Sequence, residues 1–376
     1  MIFVGANIVA TTFQVGASLA ASFTLSVTMA LIAARPALGI TGAALVAVVL
    51  YVSNFAWIAL NNVIAASACA RVGAAWLGPA GASATMWSIA LGLVATAVVW
   101  RGPRAVARAD RVAVPLMLIV GVALTAACIR VLGSTREAAA PIVVGMTWSR
   151  GLDVVIGYQV SWILMFADYS RYTRSARGSA IAVFLGLALT SAWMMPLGAI
   201  AARAAGTSDP GAMLDALGLG AAGAVLLTLA TITTNFVNIY MSSLAWKSLV
   251  PRARDGVVVW SIGIGGTALG ALPGAWLEQY AGFMIVLGAM LVPVGGLLIA
   301  HYYLQPVQVD EPFIAQLYDA GGPFRGVLMP GVAAWAAGAL AFFASESIGG
   351  TLPALVVSVG IYLALRHVVS RPRDTV

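Results

Sequence analysis

Apolar residues run along this chain in long blocks, and polar positions collect mostly between them. Eleven such blocks fall near 2–22, 41–69, 85–100, 113–132, 152–168, 179–201, 221–245, 257–273, 280–302, 327–344 and 351–366. A helix needs about 20 mostly apolar residues to cross a hydrocarbon core of roughly 30 Å, whereas a strand of a membrane barrel needs about ten with alternating polarity. The blocks are too long and too uniformly apolar for strands. The pattern predicts an all-α polytopic membrane protein with about eleven transmembrane helices, broken by Gly, Pro and short polar stretches rather than by long loops.

Composition sharpens this. Of 376 residues, 61% are apolar and 9% charged, against about 25% charged in an average soluble domain. The mean hydropathy is +0.97. Disordered, collagen-like and nucleic-acid-binding classes all need more polar or basic surface than this. The net charge of +7 is spread as short Arg clusters between the blocks. Numbering the connections from the one that holds Arg35, the odd set carries 15 of the 20 basic residues and the even set five. The positive-inside rule therefore predicts a multi-pass protein of the cell's inner (plasma) membrane with a cytoplasmic C-terminus. Eleven spans then put Met1 outside, a parity that calls for one more span or for a helix ahead of Met1. Cys69 and Cys128 both lie within apolar blocks, which predicts buried small hydrophobes rather than a disulfide framework or a metal site.

Polar side chains inside such blocks are expensive and mark function. In "YVSNFAWIALNN", Asn54, Trp57 and Asn61 are spaced by three and four and share a helical face that Asn62 borders. One Asn alone is more often a bridge between helices; an aromatic plate flanked by two amides reads as a binding wall. In "GLDVVIGYQVSWILMFADYSRYTRS", Gly157, Tyr158, Gln159 and Ser161 mark a point where the helix is expected to unwind, as the discontinuous helices of secondary transporters do at their substrate sites. Asp168, Arg171 and Arg174 close that block. "LATITTNFVNIYMSSLAWKS" concentrates hydroxyls and amides, Thr233, Thr234, Asn235 and Asn238 among them. Its oxygen ligands suit a hard cation, against the simpler reading that each Thr bonds back to its own helix. "GIGGTALG" at 263–270 lies inside an apolar block and reads as small-residue helix packing rather than a phosphate loop. Pro293 in "VPVGG" is expected to kink or break the ninth span. His301, Asp153 and Glu278 are expected to be interfacial groups in contact with water. There is no HExxH, no P-loop and no Ser/His/Asp set, so no enzyme is expected.

"ADYSRYTRS", "TTNFVNIY", "VPVGGLLIAHYYL" and "ARPALGITG" together resemble the nucleobase:cation symporter family, whose members carry cytosine, purines, uracil, hydantoins, allantoin or thiamine. The resemblance runs in order over nearly the whole chain. It implies the LeuT-like inverted-repeat transporter fold with twelve spans, of which these eleven match the second through twelfth and the first helix is missing. It also implies a single transporter domain over 1–376. Residues 1–132 would be the remainder of the first repeat, 151–302 the second inverted repeat, and 326–367 two extra C-terminal helices. Substrate contacts fall on Trp57, which stacks on the heterocycle, on Asn61, and on Tyr158, Gln159, Ser161, Asn235 and Asn238. Gln159 stands where the family often carries an aromatic residue. Ala230, through its carbonyl, and Thr233 and Thr234 match half of a sodium site. Asp168, Arg171 and Pro293 belong to the family's gating motifs.

The implied function is cation-coupled import of a nucleobase-type heterocycle of the cytosine and purine class, with no cofactor beyond the coupling ion, Na+ or H+. The hydroxyl pair favours sodium. The expected partners are a small nucleobase-like substrate and the lipid bilayer, with no nucleic acid, and the sequence carries no signal for an oligomeric state. Two alternatives stand beside this. One is a hydantoin, allantoin or thiamine-precursor permease of the same family; the other is a truncated remnant that does not transport.

Overall fold

A computed structural model describes residues 30–134, 147–160, 175–207, 209–272 and 278–369; a few side chains within these ranges are left aside. All regular structure among them is helical. In chain order the helices are α1 (Ala30–Ala33), α2 (Arg35–Gly81), α3 (Ala84–Trp100), α4 (Pro103–Ser134), α5 (Trp148–Val160), α6 (Ala176–Ala205), α7 (Pro210–Ala216), α8 (Gly220–Leu249), α9 (Asp255–Ala271), α10 (Tyr280–Tyr303), α11 (Glu311–Tyr318), α12 (Met329–Ala344) and α13 (Thr351–Val369). Nine of the eleven apolar blocks coincide with helices of this set, and so does the part of the block 152–168 that is described, up to Val160. The block near 2–22 lies outside the described residues, as do Ser161, Asp168, Arg171 and Arg174. Five of the helices are at least 18 residues long and apolar enough to span a bilayer, and four more are shorter and apolar.

The surface is inverted relative to a soluble bundle. On α4, Val112, Ile119, Val122 and Ile129 are spaced at helical periods and stand exposed, while Leu124 and Cys128 pack inward. An outward apolar stripe of this kind is stable only against lipid.

The described residues belong to two compact units. The first is drawn from Met1–Val49, Met146–Ala192 and Ala281–Val376, the second from Leu50–Gly145 and Trp193–Tyr280. In the second, α3 and α9 pack closely and α8 contacts α3, α4 and α9. Small residues make this approach possible, as the "GIGGTALG" stretch predicts. A Cβ at Gly263 would overlap the Thr96 hydroxyl, and one at Gly266 would lie 2.7 Å from Ile58. Cys128 packs in a core with Leu124, Leu197 and Leu214. Cys69 is buried with its thiol 3.0 Å from the Thr228 hydroxyl.

In the first unit α12 and α13 pack closely. The backbone bends at Gly39, which takes φ +81°. There Ile40 N–H and Thr41 N–H donate to the Phe324 and Gly326 carbonyls at 2.8 Å each, and Leu328 N–H donates to Leu38 O at 2.9 Å. The main-chain groups freed at the bend are thereby satisfied.

Four expectations are corrected here. α10 runs without interruption through Pro293. A proline costs one backbone bond, and in a bilayer neighbouring helices can make up for it; a Cβ on Gly338 of α12 would lie 2.8 Å from the Pro293 ring. α5 remains helical over Gly157, Tyr158 and Gln159. Gly157 serves close approach instead, because a Cβ there would overlap the Met284 carbonyl of α10. His301 is buried rather than interfacial, its Nδ1 2.9 Å from the Tyr362 hydroxyl. Asp153 is likewise buried and accepts hydrogen bonds from the start of α13. Glu278 is exposed, as expected.

Candidate functional site

The second unit brings the polar faces of α2 and α8 together. Tyr51 meets Trp246 with ring centroids 5.0 Å apart, and Asn61 meets Asn235. The helices therefore run antiparallel here. On α2 the facing stripe is Tyr51, Asn54, Ile58 and Asn61; on α8 it is Thr231, Asn235, Asn238, Ser242 and Trp246, each at helical spacing.

Four amides form a network on this seam. Asn61 Nδ2 donates to Asn235 Oδ1 at 3.3 Å, and Asn238 Nδ2 reaches the same oxygen at 3.4 Å. Asn235 Nδ2 donates to Asn62 Oδ1 at 2.9 Å, and the Thr231 hydroxyl donates to the Asn61 carbonyl at 3.0 Å. Asn62, Asn235 and Asn238 are buried, and Asn61 alone of the four is half-buried. Asn61 thus stands at the accessible margin of the network with Asn235 behind it. Asn238 Oδ1 and both amide atoms of Asn54 make no hydrogen bond among the described residues. Such groups cost free energy unless a polar partner meets them.

Trp57, one turn before Asn61, is 6% exposed and meets Tyr280 edge-on, with centroids 6.4 Å apart and the planes at 73°. Trp57 and Asn61 lie one turn apart on α2. Asn62, which the sequence shows only at the border of that face, is a full member of the network. Its Nδ2 points away from the seam toward Gly92 of α3, where a Cβ would lie 2.8 Å from it, and makes no hydrogen bond among the described residues. The signal is its place in the Asn61–Asn62 pair, where one amide faces the seam and the next turns toward α3.

The candidate cation residues occupy a separate stripe of α8. Ala230, Thr233 and Thr234 fall about a quarter turn or more from the Asn235 stripe, at about 100° per residue. The Thr233 hydroxyl lies 2.8 Å from the Leu229 carbonyl, 3.1 Å from the Ala230 carbonyl and 3.9 Å from Met117 Sδ of α4. The back-bonded arrangement expected of a membrane threonine is therefore present. It also sets two oxygens, Ala230 O and Thr233 Oγ1, side by side, a pair able to serve a hard cation once the hydroxyl proton turns away.

In the first unit, Tyr158 is half-buried on α5, and Gln159 is buried with its Nε2 donating to Ser191 Oγ of α6 at 3.0 Å.

Comparison with known proteins agrees with this architecture. The family described as permeases for cytosine/purines, uracil, thiamine and allantoin matches residues 1–363. The cytosine permease of Escherichia coli K12 is 27% identical over 191 residues, a match covering 48% of this chain and 44% of the relative; that of E. coli O157:H7 matches equally. The chain thus spans less than half the length of the curated relatives it matches. Among solved structures, Mhp1, a nucleobase-cation-symport-1 family transporter in a closed conformation with bromovinylhydantoin bound, superposes with a TM-score of 0.81 at 17% identity. That match covers 98% of this chain and 85% of Mhp1. The inward-facing conformation of Mhp1 gives 0.77 at 17% identity, covering 98% and 84%. The all-helical LeuT-like transporter fold is shared.

Proposed function

Since this chain belongs to the family of permeases for cytosine and purines, uracil, thiamine and allantoin, a family of membrane carriers and not of enzymes, we propose that it imports a nucleobase-type heterocycle of the cytosine and purine class by cation symport with alternating access. The observation that carries this reading is the amide network behind Asn61, one helical turn from the buried Trp57. A nucleobase is flat, with donors and acceptors alternating around its rim. An indole face suits its plane, and carboxamides, which both donate and accept, suit its edge. Asn235 accepts from Asn61 and so fixes its amide, and Asn238 in turn donates to the same Asn235 oxygen.

Ala230, Thr233 and Thr234 are the proposed cation ligands on the same helix, and the hydroxyl pair supports sodium over a proton. A cation bound there sits on α8, and a substrate at Asn61 of α2 is linked to α8 through Asn235, so whatever factor one adds to the affinity of the other is returned in equal measure. The coupling lets the cation gradient drive uptake as access alternates. Tyr158, Gln159 and Ser161 are proposed substrate contacts carried over from the family resemblance. Orientation follows the basic residues, with the C-terminus in the cytoplasm.

The test is uptake of radiolabelled cytosine into cells that lack their own carriers, with adenine, uracil, allantoin and a hydantoin as competitors, with and without sodium. Saturable, cation-dependent uptake is expected. Loss of a stacked face costs about 1–3 kcal/mol, so Trp57→Ala should raise the half-saturation constant roughly five- to 150-fold. Thr234→Ala should weaken the dependence on sodium while leaving the competition order unchanged. Absence of uptake by a chain shown to reach the membrane would sink the transport reading. A hydantoin is the second reading, favoured by the shared fold of Mhp1, and dominance of that competitor would select it.

A further inference from the structure

The first two turns of α5 are tied to the connection between α12 and α13. Asp153 is 3% exposed, and both its oxygens are engaged. Oδ2 accepts from Gly350 N–H at 2.7 Å; Oδ1 accepts from Thr351 N–H at 3.0 Å and from the Thr351 hydroxyl at 2.7 Å. One turn earlier, Ser149 Oγ donates to the Ser347 carbonyl at 3.3 Å, and Arg150 pairs with Glu346. Gly349, at φ +98°, lets the connection fold back onto α5; a Cβ there would lie 3.4 Å from Ser149 Cβ.

The chemistry explains why a carboxylate stands here. The first N–H groups of α13 have no partner within their own helix and carry the positive end of its dipole. Asp153 supplies the missing acceptors from another helix, as an N-cap across a sequence separation of nearly two hundred residues. Charge-assisted bonds of this kind are the strong ones. An ordinary interfacial carboxylate would sit in water and hold nothing.

We propose that Asp153 is a positioning residue for substrate. By fastening α5 to the start of α13 it sets the rotation and height of α5, and so the placement of Tyr158 and Gln159 about one and a half turns farther along. The fastening stays closed through the transport cycle, so that α5, α12 and α13 move as one piece. This rests on the reading of the chain as a transporter with Tyr158 and Gln159 at the substrate.

The experiment is cytosine uptake by the full chain and by Asp153→Ala and Asp153→Asn, each normalised to the amount in the membrane. A third variant pairs Ser149→Cys with Gly349→Cys, alone and combined with Asp153→Ala, and is measured reduced and oxidised. The Cβ separation is close to the 3.5–4.5 Å of a disulfide. The reduced form controls for the strain of a side chain at φ +98°.

Asp153→Ala should raise the half-saturation constant for cytosine tenfold or more with that for the cation unchanged. Asp153→Asn should raise it less, because its one carbonyl oxygen still accepts from the α13 terminus. Oxidation should restore affinity in the Asp153→Ala background and leave transport intact in the parent. If Asp153→Ala fails to reach the membrane, the Asn variant and the cross-linked Ala variant still read the affinity. An unchanged half-saturation constant in both, or a cross-link that stops transport in the parent, would overturn the proposal while leaving the transporter reading in place. A parent chain without uptake would overturn both.

Discussion

Uptake per folded molecule by an Asn235→Leu variant is expected to fall more than tenfold, and the variant's thermal midpoint in detergent to drop measurably. Leucine has the same branching and the same number of side-chain heavy atoms as asparagine and is the bulkier of the two, so no cavity forms. What is lost is the node of the network: Asn61 and Asn238 both donate to Asn235 Oδ1, and Asn62 accepts from its Nδ2. Asn62 and Asn238 are buried. Each buried group stripped of its partner costs about 1–3 kcal/mol, so the destabilisation should reach roughly 2–6 kcal/mol. Asn61→Ala is the discriminating companion. It trims only the half-buried margin, so it should spare most of the stability and act on substrate affinity. Parent-like uptake by Asn235→Leu, or an Asn61→Ala variant less stable than Asn235→Leu, would show that the network does not support the recognition edge.

Gly39→Val should leave little or no folded protein, measured as monodisperse material by size-exclusion chromatography of solubilised membranes. Gly39 takes φ +81°, and a Cβ there would overlap the Gly326 carbonyl and lie 2.8 Å from Leu328 N. Forcing a β-branched residue into that conformation costs of order 1–3 kcal/mol. Three main-chain bonds that join residues 38–41 to 324–328 are displaced as well, each worth about 1 kcal/mol. Gly331→Val should behave alike, because its Cβ would overlap the Ala37 carbonyl at the same place. Gly186 and Gly282 are the controls. Each sits within a helix with open space around it, so alanine there should be neutral or slightly stabilising, since glycine weakens a helix interior by about 1 kcal/mol. Normal yield from Gly39→Val would mean that the bend is tolerant and the close approach incidental.

The polar and packing residues of the chain differ in how far the sequence alone reveals them. Trp57 and Asn61 stand out in the sequence itself, because helical spacing alone puts i and i+4 on one face. Thr233 and Asn235 are legible as an unusual polar run, yet their division into a threonine stripe and an amide stripe depends on the direction in which α2 and α4 approach α8. Gly157 shows the limit most clearly. A glycine followed by polar residues reads as a point of unwinding, and the same glycine serves equally well for close packing. Only the Met284 carbonyl beside it decides between them.

By itself the sequence determined the class, the number and rough extent of most membrane helices, and the family. A bilayer of fixed thickness turns each span into a countable run of apolar residues. The tertiary structure decided what each polar group meets. His301 finds Tyr362 61 residues away, and Asp153 finds Gly350 197 residues away. Hydropathy is a sum over neighbours in the chain, whereas a buried hydrogen bond is a match between atoms in space. The same aspartate is an idle surface charge or the cap of another helix according to which N–H groups the fold brings within about 3 Å.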